Sequence, residues 1–308
     1  MNPIIEPIGR PVVLGEGPFW DPDSQSLYFV DVFGYSINRY DTKTKEQFSA
    51  KVEGYCTIII KVDGQKNKFV ITEKNKLKLI TWDGISDSIE LSETLMIVGN
   101  PDEELLLNDG KVDSQGRLWI GSLSPQIEPS SFQFEHGKGF LYMINKSESF
   151  TVQKPNVTVA NGLAWNPSDD KFYYIDSMKL TVDVYDYDNK TGKLSNEKIA
   201  FDLRGNEIDG YADGMTMDVE GKLWIAMFGI AKVIRVDPAN GKVLSSIKFP
   251  SLQITSVCFG GPNYDELYVT SGNMNQTSEQ LVKYPLTGSC FRVTNLGVKG
   301  VPNLAVKL

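Results

Sequence analysis

The sequence predicts an all-β protein, a six-bladed β-propeller with four-stranded blades, and three observations carry that expectation. One pattern recurs along the chain: a polar residue and a glycine, then a turn, then an apolar β-type run. It reads EGPFWDPDSQSLYFVD at 16–31, NDGKVDSQGRLWIG at 108–121, NGLAWNPSDDKFYYID at 161–176 and DGMTMDVEGKLWIA at 213–226. Spacing is the second observation. Equivalent apolar runs begin near Leu27, Phe69, Leu118, Phe172, Leu223 and Leu267, about 42 to 54 residues apart, which is the length of a propeller blade. The third is the near absence of helical periodicity, which argues against a sheet with crossover helices.

Taken in order, residues 1–10 are flanked by Pro3, Pro7 and Pro11 and suit an edge strand at most. The first unit continues from LYFVD through a Gly34-Tyr35 turn into a strand at 36–40. The second is the least regular, with strands expected at 55–60, 68–72 and 76–82 around an Asp63-Gly64 turn. The third carries the longest irregular insertion, residues 124–139, before a strand at 140–144, and such a loop in a tight β pattern is a candidate lid. The fourth adds TVDVYDYD at 181–188, the fifth KVIRVD at 232–237, and the sixth ITSVCFG, ELYVTS and CFRVT at 254–260, 266–271 and 290–294. IIEPI near the N-terminus is then the natural outer strand of the last blade, which closes the ring and removes an exposed edge. The whole chain, 1–308, reads as a single domain.

Composition narrows the function. Lysine plus arginine number 31 against 39 acidic residues, a formal charge of -8, so no basic face tracks phosphates and nucleic acid is excluded as a partner. No stretch has the apolar length of a membrane helix, and the first residues lack the features of a signal peptide, which predicts a cytosolic protein without membrane partners. Cys56, Cys258 and Cys290 have no metal spacing and read as buried free thiols. The strand-centre aromatics Phe29, Trp119, Tyr174 and Trp224 read as core between blades.

Equivalent offsets in equivalent blades meet around one axis. Glu16 and Asn161 stand eleven residues, and Asn108 and Asp213 ten residues, before their apolar runs, so all four belong to innermost strands near one mouth of the channel. Blade 2 offers Thr57 or Ile58 at this level, and blade 6 offers Thr255 or Ser256. Any Asp-Gly or Asn-Gly pair taken alone is a hairpin turn. Here each pair precedes a second turn signal by a few residues, so it does not sit where the hairpin turns. Two carboxylates and two amides without histidine or thiolate make a hard oxygen site suited to Ca²⁺, Mg²⁺ or Mn²⁺. The single histidine, His136, lies in the insertion, which excludes a His-based zinc centre or a Ser-His-Asp triad.

The stretches GEGPFWD (15–21), LNDGKVDSQGRLW (107–119), ANGLAW (160–165), DGMTMDVEGKLWIA (213–226), FGGPNYDELYVTS (259–271) and NLGVKG (295–300) together resemble the senescence marker protein, gluconolactonase and luciferin-regenerating enzyme family, the regucalcin-like proteins, and the tail is similar to insect members. The resemblance implies a six-bladed propeller with one divalent metal in the channel, held by Glu16, Asn161 and Asp213, with Asn108 contacting substrate. Two positions depart from it. Leu106 stands where many lactonase members carry arginine, and Gln126 where some carry glutamate, so these two substrate-binding positions describe a more apolar pocket than a polyhydroxylated sugar lactone favours.

The expected function is therefore a divalent-metal-dependent hydrolase of the lactonase type acting on a small molecule. Asp213 serves as general base as well as ligand, and the cofactor is one divalent ion, Ca²⁺ first, with Mg²⁺, Mn²⁺ or Zn²⁺ as alternatives. The rival expectations are regeneration of luciferin or a related hydrolysis of an aromatic heterocycle, a non-catalytic calcium-binding protein, and a propeller serving only as an interaction platform.

Overall fold

A computed structural model describes residues 2–100, 105–128, 132–145 and 149–308. Six four-stranded antiparallel sheets follow one another along the chain, as expected. Their innermost strands are Gly15–Asp21, Ile59–Lys61, Leu107–Val112, Ala160–Trp165, Tyr211–Met217 and Gln253–Gly260, and neighbouring ones pack side by side around a central shaft. The N-terminal strand Ile4–Ile8 pairs with Cys290–Thr294 in the register Ile4↔Thr294 to Ile8↔Cys290. The last blade is thus completed by the start of the chain, and the ring closes through backbone hydrogen bonds.

Apolar residues fill the second strands almost without break and much of the third, and interleave between blades. Phe29, Trp119, Tyr174 and Trp224 are all buried there, as predicted. The turn sequences repeated between blades 3 and 5 are structural. Asp113 accepts from the backbone N–H of Gln115 and Arg117 and from Trp119 Nε1 at 2.8 Å. Asp218 does the same with Glu220, Lys222 and Trp224 Nε1 at 2.9 Å. In both blades a buried carboxylate ties the hairpin turn to the tryptophan of the next strand.

Two differences from the expected elements have clear causes. In blade 2 the inner strand covers only Ile59–Lys61 rather than 55–60, because the Thr57 N–H is taken by Thr72 Oγ1 at 2.8 Å and leaves the ladder. Helix is limited, among the described residues, to Ser278–Lys283, started by a Thr277/Gln280 capping box, and a 3₁₀ turn at Ser177–Lys179. The three cysteines are free and buried. No helix among the described residues is long and apolar enough to cross a membrane.

After the last strand the chain does not stop at the rim. Gly300 N–H donates to Tyr264 O, Val301 N–H to Met217 O, Val306 N–H to Lys61 O and Lys307 N–H to Gly116 O, at 2.7 to 3.1 Å. The tail therefore crosses the end of the shaft opposite the polar ring, tying blade 6 to blades 5, 2 and 3.

Candidate active site at the mouth of the shaft

Each site residue sits on a β-bulge. The register of the inner strand against its neighbour shifts between Glu16 and Phe19, Leu107 and Gly110, Ala160 and Leu163, and Ala212 and Met215. A bulge leaves residues out of the ladder and re-aims their side chains, so Asn108, Asp109, Asn161 and Asp213 are released at the level where the strands begin, while Glu16 stays paired with Val30 at the edge of its bulge. The glycines that follow serve close approach between blades. A Cβ at Gly162 would lie 2.8 Å from Asp213 O, and at Gly17, which has φ +53°, it would lie 2.6 Å from Thr57 O.

The strand entries are held from behind. Asp31, last in LYFVD, accepts from the N–H groups of Val13 and Leu14 at 3.1 and 3.0 Å, just ahead of Glu16. Asp176, last in FYYID, accepts from Thr158 and Val159 at 2.9 and 3.0 Å, just ahead of Asn161. These two carboxylates position the site without facing it.

A hydrogen-bonded chain then runs round the mouth. Thr57 Oγ1 donates to Asn108 O at 2.7 Å. Asn108 Nδ2 donates to Ala160 O at 2.8 Å and to Asn161 Oδ1 at 3.1 Å. Asn161 Nδ2 donates to Ser177 Oγ at 2.8 Å, and Ser177 Oγ donates to Ala212 O at 2.6 Å, next to Asp213. Thr255 Oγ1 closes on Gly15 O at 2.6 Å, next to Glu16. Both ends of the Asn161 amide are thereby oriented, and its Oδ1 keeps a second lone pair.

Among the described residues the carboxylates accept only from the backbone N–H beside them. Burial, and then the charges of Asp213 and Asp109, hold Glu16 well above the ordinary carboxylate range, against one bond from its own loop at Gly17. Burial and Asp109 do the same to Asp213, against the Gly214 N–H. Asp109 is raised by burial, with Lys111 and the Gly110 N–H opposing. Among the described residues no cationic side chain forms an ion pair with any of the three. Three like charges gathered in a low-dielectric mouth favour either protonation or a cation.

The donor set fits a hard divalent ion. Among the described residues no three His, Cys, Asp or Glu side chains converge closely enough to grip an ion by themselves. Two carboxylates and the Asn161 amide oxygen, completed by water or substrate, supply the oxygen-rich, partly open shell that such ions take. Tyr55 lies within reach of the charges of Glu16 and Asp213, and burial, followed by those charges, raises its phenol further.

The other predicted residues are placed as follows. Leu106 is half-buried at the base of the insertion, its carbonyl accepting from Leu123 N–H at 2.9 Å. Gln126 is exposed on the insertion and bridges to Phe134. The insertion leaves the end of a strand at the same face as the ring, and its Phe132 ring sits 5.7 Å from that of Phe228 in blade 5. Positions 129–131 of this candidate lid lie outside the described residues. Asp109, Lys111, Tyr55, Ser177, Asp31 and Asp176 were not singled out as site residues by the sequence argument. Asp109 and Lys111 carried a legible signal, since they flank Gly110 on one face of a strand already assigned to the mouth.

The chain has relatives in sequence and in overall fold. A family model described as the SMP-30/Gluconolactonase/LRE-like region matches residues 14–273. Regucalcin of Danio rerio is 36% identical over 289 residues, covering 94% of this chain and 93% of that protein. A solved luciferin-regenerating enzyme matches with a TM-score of 0.93 at 37% identity, covering 100% of both chains. A calcium-binding protein, regucalcin, from Agrobacterium tumefaciens shares the fold with a TM-score of 0.85 at 23% identity, covering 97% of this chain and 95% of that one. With a profile match over most of its length and relatives of this identity across nearly all of it, the chain belongs to the SMP-30/gluconolactonase/LRE-like family.

Proposed function

We propose that this protein is a divalent-metal-dependent hydrolase of the lactonase type, with its site at the acidic mouth of the shaft. The observation that carries the reading is the pair of carboxylates, half-buried Glu16 and buried Asp213, gathered beside an oriented Asn161 amide and forming no ion pair among the described residues. Family membership supports the same reaction class. Glu16, Asn161 and Asp213 would hold the ion, which when bound supplies a Lewis acid for a ring-ester carbonyl. Asp213, beside both the ion and the substrate space, takes the proton of the attacking water. Asn108, fixed by two bonds of its own amide N–H₂, presents its carbonyl oxygen to orient the substrate.

Action on an aromatic heterocycle is the second reading, favoured by the full-length match to the luciferin-regenerating enzyme and by the apolar Leu106 beside the mouth. The deciding experiment strips the protein with chelator, restores Ca²⁺, Mg²⁺, Mn²⁺ or Zn²⁺ in turn, and assays a panel from gluconolactone to apolar γ-lactones and an oxyluciferin-derived compound. Metal-restored lactone turnover is the expected result. Turnover of the heterocycle alone moves the assignment to the second reading, and metal uptake without any turnover sinks both in favour of a binding protein.

A further inference from the structure

Beneath the ring, Asp109 and Lys111 project from one face of the same inner strand and line a cavity of about 30 Å³ with Met215, Ser256, Asn303 and Leu304. That space holds about one or two waters. Lys111 reaches from blade 3 across to blade 5, where its Nζ donates to Met215 O at 2.7 Å. It forms no ion pair with a carboxylate among the described residues; burial lowers its pKa, and the charge of Asp109 opposes that shift as the charge of Lys111 opposes the rise of Asp109. The other ionisable groups facing this cluster are neutral. Tyr55 beside Glu16, Tyr174 beside Asp109 and Cys258 beside Lys111 are all raised by burial, the Cys258 thiol to about 12. With all four groups ionised, the upper shaft carries three carboxylates against one ammonium, a balance of two negative charges.

We propose that Lys111 and Asp109 set the charge of the ion that the mouth accepts: the ammonium offsets the third carboxylate, so that a divalent cation, and neither a monovalent nor a trivalent one, leaves the shaft neutral. The inference rests on the metal reading above. Neither residue need touch the ion, since a buried net charge is costly wherever it sits in a low-dielectric shaft, and ion affinity follows the charge count of the site.

The test is calorimetric titration of chelator-stripped, full-length protein with Ca²⁺ and with Tb³⁺, in wild type, Lys111→Met, Asp109→Asn and the double variant. Both substitutions keep side-chain shape closely. Lys111→Met, with three negative charges, should raise the affinity for Tb³⁺ relative to Ca²⁺ by about tenfold or more, and Asp109→Asn should lower that ratio by a similar factor. The double variant regains the wild-type charge balance and should return the ratio to within about twofold of wild type. If Lys111→Met does not fold, the opposite shift in Asp109→Asn alone carries the test. An unchanged ratio in the single variants overturns the proposal. So does a double variant that stays as weak for Ca²⁺ as Asp109→Asn, which would make Asp109 a ligand. Wild type that takes up neither ion overturns the metal reading itself, a distinct pattern.

Discussion

Asp213 and Asp218 lie on the same inner strand and its turn, both buried, and their surroundings give them opposite roles. Asp218 accepts from two backbone N–H groups, from Trp224 Nε1 and from Arg235 Nε, the last at 2.8 Å. Removing it leaves the buried Trp224 indole N–H and two turn N–H groups without their acceptor, while the half-buried Arg235 keeps Glu220, so Asp218→Ala should cost about 1–3 kcal/mol. Asp213 meets only the Gly214 N–H and like charges. Asp213→Ala should therefore leave the chelated protein as stable as wild type or more so, while metal-restored turnover falls by about 10²- to 10⁴-fold. Urea unfolding and lactone hydrolysis on both variants separate the two, and an Asp213 variant of undiminished rate would remove it from the mechanism. Sequence pattern alone made Asp213 and Asp218 members of one motif. Only their partners tell the functional carboxylate from the structural one.

At the level of elements, the inner strands of blades 1, 3, 4 and 5 were legible because they carry the repeated polar-glycine signature, and the second and third strands because they are apolar. The outer strands Gln47–Lys51, Leu91–Ile97, Ser149–Val157, Lys193–Asp202 and Lys242–Lys248 were not located. Each has one face and one edge toward solvent, so its composition is close to that of a loop. Latches between blades were equally hidden. Lys61 in blade 2 pairs with Asp21 in blade 1 at 2.7 Å, and Ser24 Oγ donates to the same carboxylate. Burial pushes Asp21 up, but Lys61 and Ser24 outweigh it and hold its pKa below the ordinary value. A lowered carboxylate pKa stabilises the fold above the unfolded pKa and loses that contribution as pH falls through the folded one. Asp21→Asn should thus lower the urea midpoint at neutral pH, with the gap to wild type closing as pH drops below about 4. A gap unchanged in acid would show that the ion pair is not its source.

For the whole molecule, closure is achieved twice. The N-terminal strand completes the sixth blade, and the C-terminal tail lies across the far end of the shaft, bonded to four blades. Gly300 fits there because a Cβ would run into the Phe259 ring. Deleting residues 299–308 removes bonds that no single blade can replace, and it opens the cavity beneath Lys111 to water. The truncated protein should lose more than about 2 kcal/mol in urea unfolding and bind Ca²⁺ more weakly by calorimetry, since water entering the shaft screens its charges. Equal stability and affinity would reduce the tail to an ornament.

Repetition is what the sequence by itself determined. A motif at blade spacing specifies six similar sheets and places Glu16, Asn108, Asn161 and Asp213 at one level, and the single histidine excludes a histidine-based zinc centre or a Ser-His-Asp triad. Tertiary structure decided what those residues face: the bulges that turn them inward, the Asn108–Asn161–Ser177 chain that orients one amide, and the third carboxylate with its cross-shaft lysine. The physical reason is that periodicity reports only which positions are equivalent within a repeat. Burial, charge balance and hydrogen-bond partners arise between repeats, from residues such as Lys111 and Met215 that stand far apart in the chain and meet only when the ring has closed.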